Sequence, residues 1–187
     1  VAHGVMPARK ASVVRNGIDL SRFVARNAAA GAALRTALGL PDEVVLFGTV
    51  GRLNEAKQQG RLLVALRTLL DTGVPAALVI AGDGELRAAL ETQTDSLGLR
   101  ERVRLLGARN DVPDLLAAMD VFVLPSRTEG YSLALVEASA AALPDDVSDL
   151  QRPFIPPTMM YPSQQGAEAP PLASAVIRLR SRPRLAR

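Results

Sequence analysis

Four short apolar runs, each closed by glycine or proline and separated by helical patterns, constrain this chain more than any other feature. They are residues 44–50 (VVLFGTV) before Gly51, 77–81 (ALVIA) before Gly82, 103–106 (VRLL) before Gly107 and 121–124 (VFVL) before Pro125. Continuous apolar runs of this length read as strands buried on both faces, as in a parallel sheet. Between the first two, residues 58–72 carry Leu62, Leu63, Leu66, Leu69 and Leu70 at helical spacing, and Gly73 stops the run. Residues 85–97, 111–119 and 132–142 also read as helices, with Asp111 as an N-cap and Pro113 in the first turn of its helix. A shorter strand is predicted at 12–15, before Asn16-Gly17. Strands alternating with helices imply right-handed crossovers and an α/β, Rossmann-like, doubly wound parallel sheet. Such sheets bind ligands beyond the carboxyl ends of their strands, where the polar and glycine-containing loops of this chain fall.

Composition narrows the function. The chain has 187 residues, 48% of them hydrophobic, enough for one packed domain and a little more. It has no cysteine, and its one histidine is His3, which argues against disulfides, thiolate metal sites and Ser/His/Asp chemistry. The net charge of +3 comes from scattered cations, and aromatics make up only 3%, so no nucleic-acid surface is expected. No apolar run approaches the roughly 20 residues that span a bilayer.

The alternating pattern stops after Pro144. Residues 145–187 hold 7 of the 13 prolines, and the last ten residues contain five arginines and no acid. Such a segment favours extended, unpacked chain, so 145–187 is expected to be a disordered tail. The outer edge of the 121–124 strand is then expected to be left unpaired.

Three loops carry the candidate chemistry. Gly51-Arg52-Leu53-Asn54-Glu55-Ala56-Lys57 sets two cations at a strand's carboxyl end, where a diphosphate would meet Arg52 as a planar donor fork and Lys57 as a point charge. Gly82-Asp83-Gly84 allows a tight turn, and by itself is equally an ordinary turn. The segment from Ser126 to Ala138 is the strongest signal, with Glu129 and Glu137 eight residues apart. Glu129 falls in the loop after 121–124, and Glu137 about two turns into the next helix, where an acid flanked by Val136 and Ala138 needs a partner. The amides of Gly130, Tyr131, Ser132 and Leu133 at that helix N-terminus would form an anion site.

In this order, G-R-L-x(3)-K, G-D-G, L-G-x(3)-D-V and D-V-F-V-L-P-S-x(2)-E-G-x-S-L-x(3)-E-A resemble the group 1 retaining glycosyltransferases with the GT-B fold. That family includes glycogen synthases, sucrose synthases and bacterial mannosyl- and glucosyltransferases. The segment R-N-G-I-D-x(3)-F resembles the family's entry into its C-terminal domain, and the likeness runs from about residue 12 to residue 144. The resemblance implies a nucleotide-sugar donor, with Arg52 and Lys57 holding its diphosphate and stabilising it as the leaving group. It implies that Glu129 binds the transferred sugar and Glu137 the ribose. Gly107 to Arg109 would contact the base, Gly51 would let the diphosphate approach, and the amides of Gly130 to Leu133 would share its charge. Gly82 and Asp83 would line the same pocket. Glycosyl transfer would proceed with retention and would use no cofactor or metal, because no Asp-x-Asp occurs. A cytoplasmic location is implied, with the parent enzyme able to sit peripherally at a membrane.

The sequence also departs from that pattern. The domain organisation expected is a residual inter-domain segment (1–11), the donor-binding domain (12–144) and an unrelated Pro/Arg-rich tail (145–187). The resemblance implies an N-terminal acceptor domain before residue 12, and this chain is expected to lack it. After Pro144 the family continues with a buried strand and a glycine-rich loop, whereas Asp145-Asp146 opens an unrelated sequence, as a frameshift or chimeric join would produce. The sequence therefore leaves three readings: a donor domain active only in a longer parent, a non-catalytic nucleotide-sugar-binding remnant, or a marginally folded product without function. A GT-B epimerase fits less well, since it lacks the paired motifs.

Overall fold

A computed structural model describes residues 17–24, 28–127 and 132–141, and the backbone of 175–178. The first three strands form where the apolar runs predict them: β1 (Val45–Val50), β2 (Ala76–Ala81) and β3 (Val103–Gly107). The fourth, β4 (Val121–Leu124), matches its run residue for residue. They are mutually parallel, and β1 runs in unbroken register with β2 from Val45 opposite Ala76 to Val50 opposite Ala81. With a fifth strand, β5 (Ala175–Arg178), the sheet order is β3-β2-β1-β4-β5.

Six helices accompany the strands among the described residues: α1 (Ser21–Val24), α2 (Ala28–Ala37), α3 (Gly60–Asp71), α4 (Arg87–Ser96), α5 (Val112–Ala118) and α6 (Leu133–Ala141). They divide by sheet face because strand side chains alternate. Ala77, Val79 and Ala81 of β2 pack with Phe23, Leu115, Leu116, Met119, Leu135 and Ala138, drawn from α1, α5, α6 and the turn after α5. Leu78 and Ile80 pack on the opposite side with Leu62, Leu63 and Leu66 of α3 and Leu90 of α4. All six residues of β2 are buried, as a strand covered on both faces must be. The expected doubly wound α/β sheet is therefore present.

Two features depart from the sequence reading. The edge of β4 is paired: Ala175–Arg178 lies antiparallel to it, with Val121 opposite Arg178 and Leu124 opposite Ala175. Four residues of the segment expected to be unpacked thus make an outer strand, a place where neighbouring proline and charge are tolerated. Asp111 stands at the N-cap of α5, but its carboxylate makes no capping bond. It binds the Arg109 guanidinium instead. The strand predicted at 12–15 lies outside the described residues, as does 145–187 apart from β5.

A buried ion pair secures α2 to the sheet. Arg35 donates to Asp120 Oδ2 at 3.0 Å and to the carbonyls of Ala118, Val44 and Pro41, while Asp120 Oδ2 also accepts the Leu46 amide at 2.8 Å. Extra hydrogen bonds of this kind offset the desolvation of two charges.

Candidate donor site

Backbone hydrogen bonds lace together the loops that leave β1, β2 and β3. The Gly51 amide donates to the Ala81 carbonyl at 2.9 Å, and the Gly82 amide to the Gly107 carbonyl at 2.7 Å. Leu53 accepts the Leu86 amide at 3.1 Å, and its own amide donates to Asp83 at 3.0 Å. This closeness explains Gly82: at φ 141° a Cβ there would lie 1.9 Å from the Gly51 carbonyl oxygen, so only glycine fits. The G-D-G turn is thus required by loop packing, whatever else it does. Asp83 is exposed; its Oδ1 accepts the Gly84 amide, and Arg87 of α4 stands 4.0 Å from its Oδ2.

The cations sit on the first of these loops. Arg52 is exposed at the carboxyl end of β1, and its carbonyl accepts the Gln59 side-chain amide at 2.8 Å. A single 3₁₀ turn, Glu55–Lys57, follows, closed by the Lys57 amide donating to Asn54 Oδ1 at 3.1 Å. Lys57 is partly buried, and its Cε lies 3.9 Å from where a Gly51 Cβ would be, so its chain returns toward the strand end. The loop after β4 joins the group, because the Arg127 amide donates to the Ala56 carbonyl at 2.9 Å. Loops that carry the two strongest motifs are thereby brought side by side.

Glu129, Gly130 and Tyr131 lie outside the described residues. Beyond them, Ser132 is buried, and its hydroxyl accepts the Leu135 amide at 3.4 Å, which caps α6. Leu133 opens the helix and is exposed. Glu137 lies one turn into α6 rather than two, since the helix begins at Leu133. It is half-buried; burial pushes its carboxyl above the ordinary glutamate value, and the charge of Arg22 on α1 opposes this more weakly. Arg109, beyond Gly107 at the end of β3, is held by Asp111; their hydrogen bond draws the Asp111 carboxyl below its ordinary value. Sequence reasoning missed Gln59, Asn54 and Arg127. Asn54 and Arg127 lie inside quoted motifs and Gln59 just beyond one, but their contacts exist only once the loops have folded together.

Open α/β sheets of this kind take their ligands beyond the carboxyl ends of the strands, where the loops that carry Arg52 and Lys57 fall. The model of the glycosyl transferases group 1 family matches residues 32–149, and the chain belongs to that family. It is 41% identical over 145 residues to the Escherichia coli UDP-Gal:alpha-D-GlcNAc-diphosphoundecaprenol alpha-1,3-galactosyltransferase, covering 75% of this chain and 37% of that protein. It is 37% identical over 132 residues to a GDP-mannose-dependent alpha-(1-6)-phosphatidylinositol dimannoside mannosyltransferase of Mycobacterium tuberculosis, covering 71% of this chain and 34% of that one. Its fold matches Anabaena Alr3699/HepE, solved in complex with UDP and glucose, at a TM-score of 0.65 and 27% identity, over 75% of this chain and 39% of that one. It also matches WaaG, a glycosyltransferase involved in lipopolysaccharide biosynthesis, at a TM-score of 0.64 and 26% identity, over 76% and 39% of the two chains. The chain spans little more than a third of the length of these relatives. No helix among the described residues is long and apolar enough to cross a membrane.

Proposed function

We propose that this chain carries the nucleotide-sugar-binding half of a glycosyltransferase that moves a glycosyl group to an acceptor with retention at the anomeric carbon. The observation that carries this reading is the laced cluster of loops: Arg52 and Lys57 on one backbone-fixed loop, with the loop entering the Glu129 segment hydrogen-bonded beside it. The relatives' UDP and GDP donors support it. In this reading Arg52 and Lys57 neutralise the diphosphate as it departs, which lowers the barrier by stabilising charge that develops in the transition state. Ser132 and Leu133 amides, with those of Gly130 and Tyr131, share that charge at the start of α6. Glu129 binds the transferred sugar, Glu137 the ribose, and the Gly107–Arg109 loop the base.

Titration of UDP and GDP into the chain tests this. Binding should survive EDTA, since cations of the protein rather than a metal hold the diphosphate. Arg52→Ala should weaken it by about 1.5–3 kcal/mol, the range for a hydrogen bond to a charged group. Equal affinity in wild type and Arg52→Ala would remove Arg52 from the site, and loss of binding on chelation would overturn the metal-free reading.

A further inference from the structure

Gln59 is a polar side chain buried where the cation-bearing loop meets α3, with 2% of its surface exposed. Its Nε2 donates to the Arg52 carbonyl at 2.8 Å, across a sequence separation of seven. Its Oε1 is buried and has no hydrogen-bond partner among the described residues. An orphaned amide oxygen in the interior costs stability, so an apolar side chain of similar length would suit the fold as well or better. What glutamine adds is the donor, and that donor engages the backbone of the residue presenting the first cation.

The surrounding geometry makes this grip specific. The Arg52 carbonyl also accepts the Asn54 amide at 3.1 Å, and the Leu53 amide of the same peptide donates to Asp83 at 3.0 Å. The peptide is thus held through both its C=O and its N–H, which fixes the direction in which the Arg52 side chain leaves the loop. Gln58, just before Gln59, takes the left-handed conformation (φ 49°, ψ 36°), alone among the described non-glycine residues in having positive φ. That reversal places Gln59 to reach back to Arg52.

We propose that Gln59 is a positioning residue of the donor site, which holds the Arg52 backbone so that its guanidinium is already oriented when a diphosphate arrives. The proposal rests on the donor-site reading above. It assigns Gln59 no contact with ligand; the side chain acts through Arg52 by removing an ordering step that binding would otherwise have to supply.

The test titrates UDP and GDP into the full 187-residue chain as wild type, Gln59→Met, Arg52→Ala and the double variant, with thermal unfolding measured alongside. Gln59→Met should keep or raise the unfolding midpoint, because the orphaned acceptor is gone. It should weaken binding roughly fivefold to tenfold, the worth of one neutral hydrogen bond. In the Arg52→Ala background the same change should have almost no further effect on affinity. Gln59→Glu, whose carboxylate cannot donate to a carbonyl, should bind poorly at alkaline pH and recover relative to wild type as acid protonates it. Unchanged affinity in Gln59→Met, at whatever midpoint, would reduce Gln59 to a structural residue and overturn the proposal. So would an equal loss with and without Arg52. Failure of the wild-type chain to bind either nucleotide would instead remove the donor-site reading, and this proposal with it.

Discussion

Burial of Glu137 costs the fold stability, and the ribose contact proposed for it opposes that cost. Its carboxyl is half-buried on α6, and burial raises it above the ordinary glutamate value of 4.5. A folded-state value above the unfolded one means that protonation favours the folded chain. Stability is therefore lost as pH rises from the unfolded glutamate range through the raised folded value, and stays lower at neutral pH. Glu137→Gln removes the charge at constant shape. We expect the free chain to gain up to about 1 kcal/mol near neutrality, a ceiling set by the solvent that still reaches the group. The pH dependence of the unfolding midpoint should flatten over the same window. Ribose hydroxyls that found a carboxylate acceptor would find a weaker one, so UDP affinity should fall by roughly tenfold. A destabilised Glu137→Gln chain with wild-type affinity would show that the acid serves the fold and not the nucleotide.

The packing of α2 on α5 depends on one missing methyl group. A Cβ on Gly31 would lie 2.6 Å from both the carbonyl carbon and oxygen of Ala117, which is backbone and cannot turn aside. Intrinsic propensity alone favours alanine over glycine inside a helix by about 1 kcal/mol. The sign of Gly31→Ala therefore decides which effect wins, and we expect destabilisation by about 1–3 kcal/mol in denaturant melts, as for overpacked cores. A stabilised variant would mean that α2 does not rest on α5 at this position. The same helix shows why part of the fold was hidden in the sequence. The strands β1 to β4 were legible because a buried parallel strand has to be apolar throughout, and α3 because its leucines recur on one face. By contrast α2, AAAGAALRTA, has no such stripe. Its fully buried positions are Gly31 and Arg35, and Arg35 is held by Asp120, a residue 85 positions away. A distant ion pair leaves no local pattern. The loops of the candidate site were legible as loops for a related reason: their cations and glycines lie within a few residues of each strand end. The anchoring role of Gln59 was not, because a glutamine in a sequence does not show which carbonyl it will reach.

Over the whole molecule, β5 changes what the C-terminal segment is for. Without it, β4 would present an open row of backbone donors and acceptors, and an unpaired edge is a template for association. With it, Val121 to Leu124 are paired on the side away from β1. β5 lies beyond β4, on the far side from the laced loops of β1, β2 and β3. Removing residues 170–187 should therefore separate solubility from binding. The shortened chain should self-associate in sedimentation velocity in proportion to its concentration, and its unfolding midpoint should fall, since four ladder pairs and the covering of β4 are lost. The UDP affinity of the remaining monomer should stay within about twofold of the full chain, because the loop after β4 keeps its bond from the Arg127 amide to the Ala56 carbonyl. A truncated chain that remains monomeric with an unchanged midpoint would mean that β5 adds nothing to the sheet. Loss of UDP binding in monomeric truncated chain would mean that the outer strand supports the donor loops through β4, and would tie the tail to function rather than to edge protection.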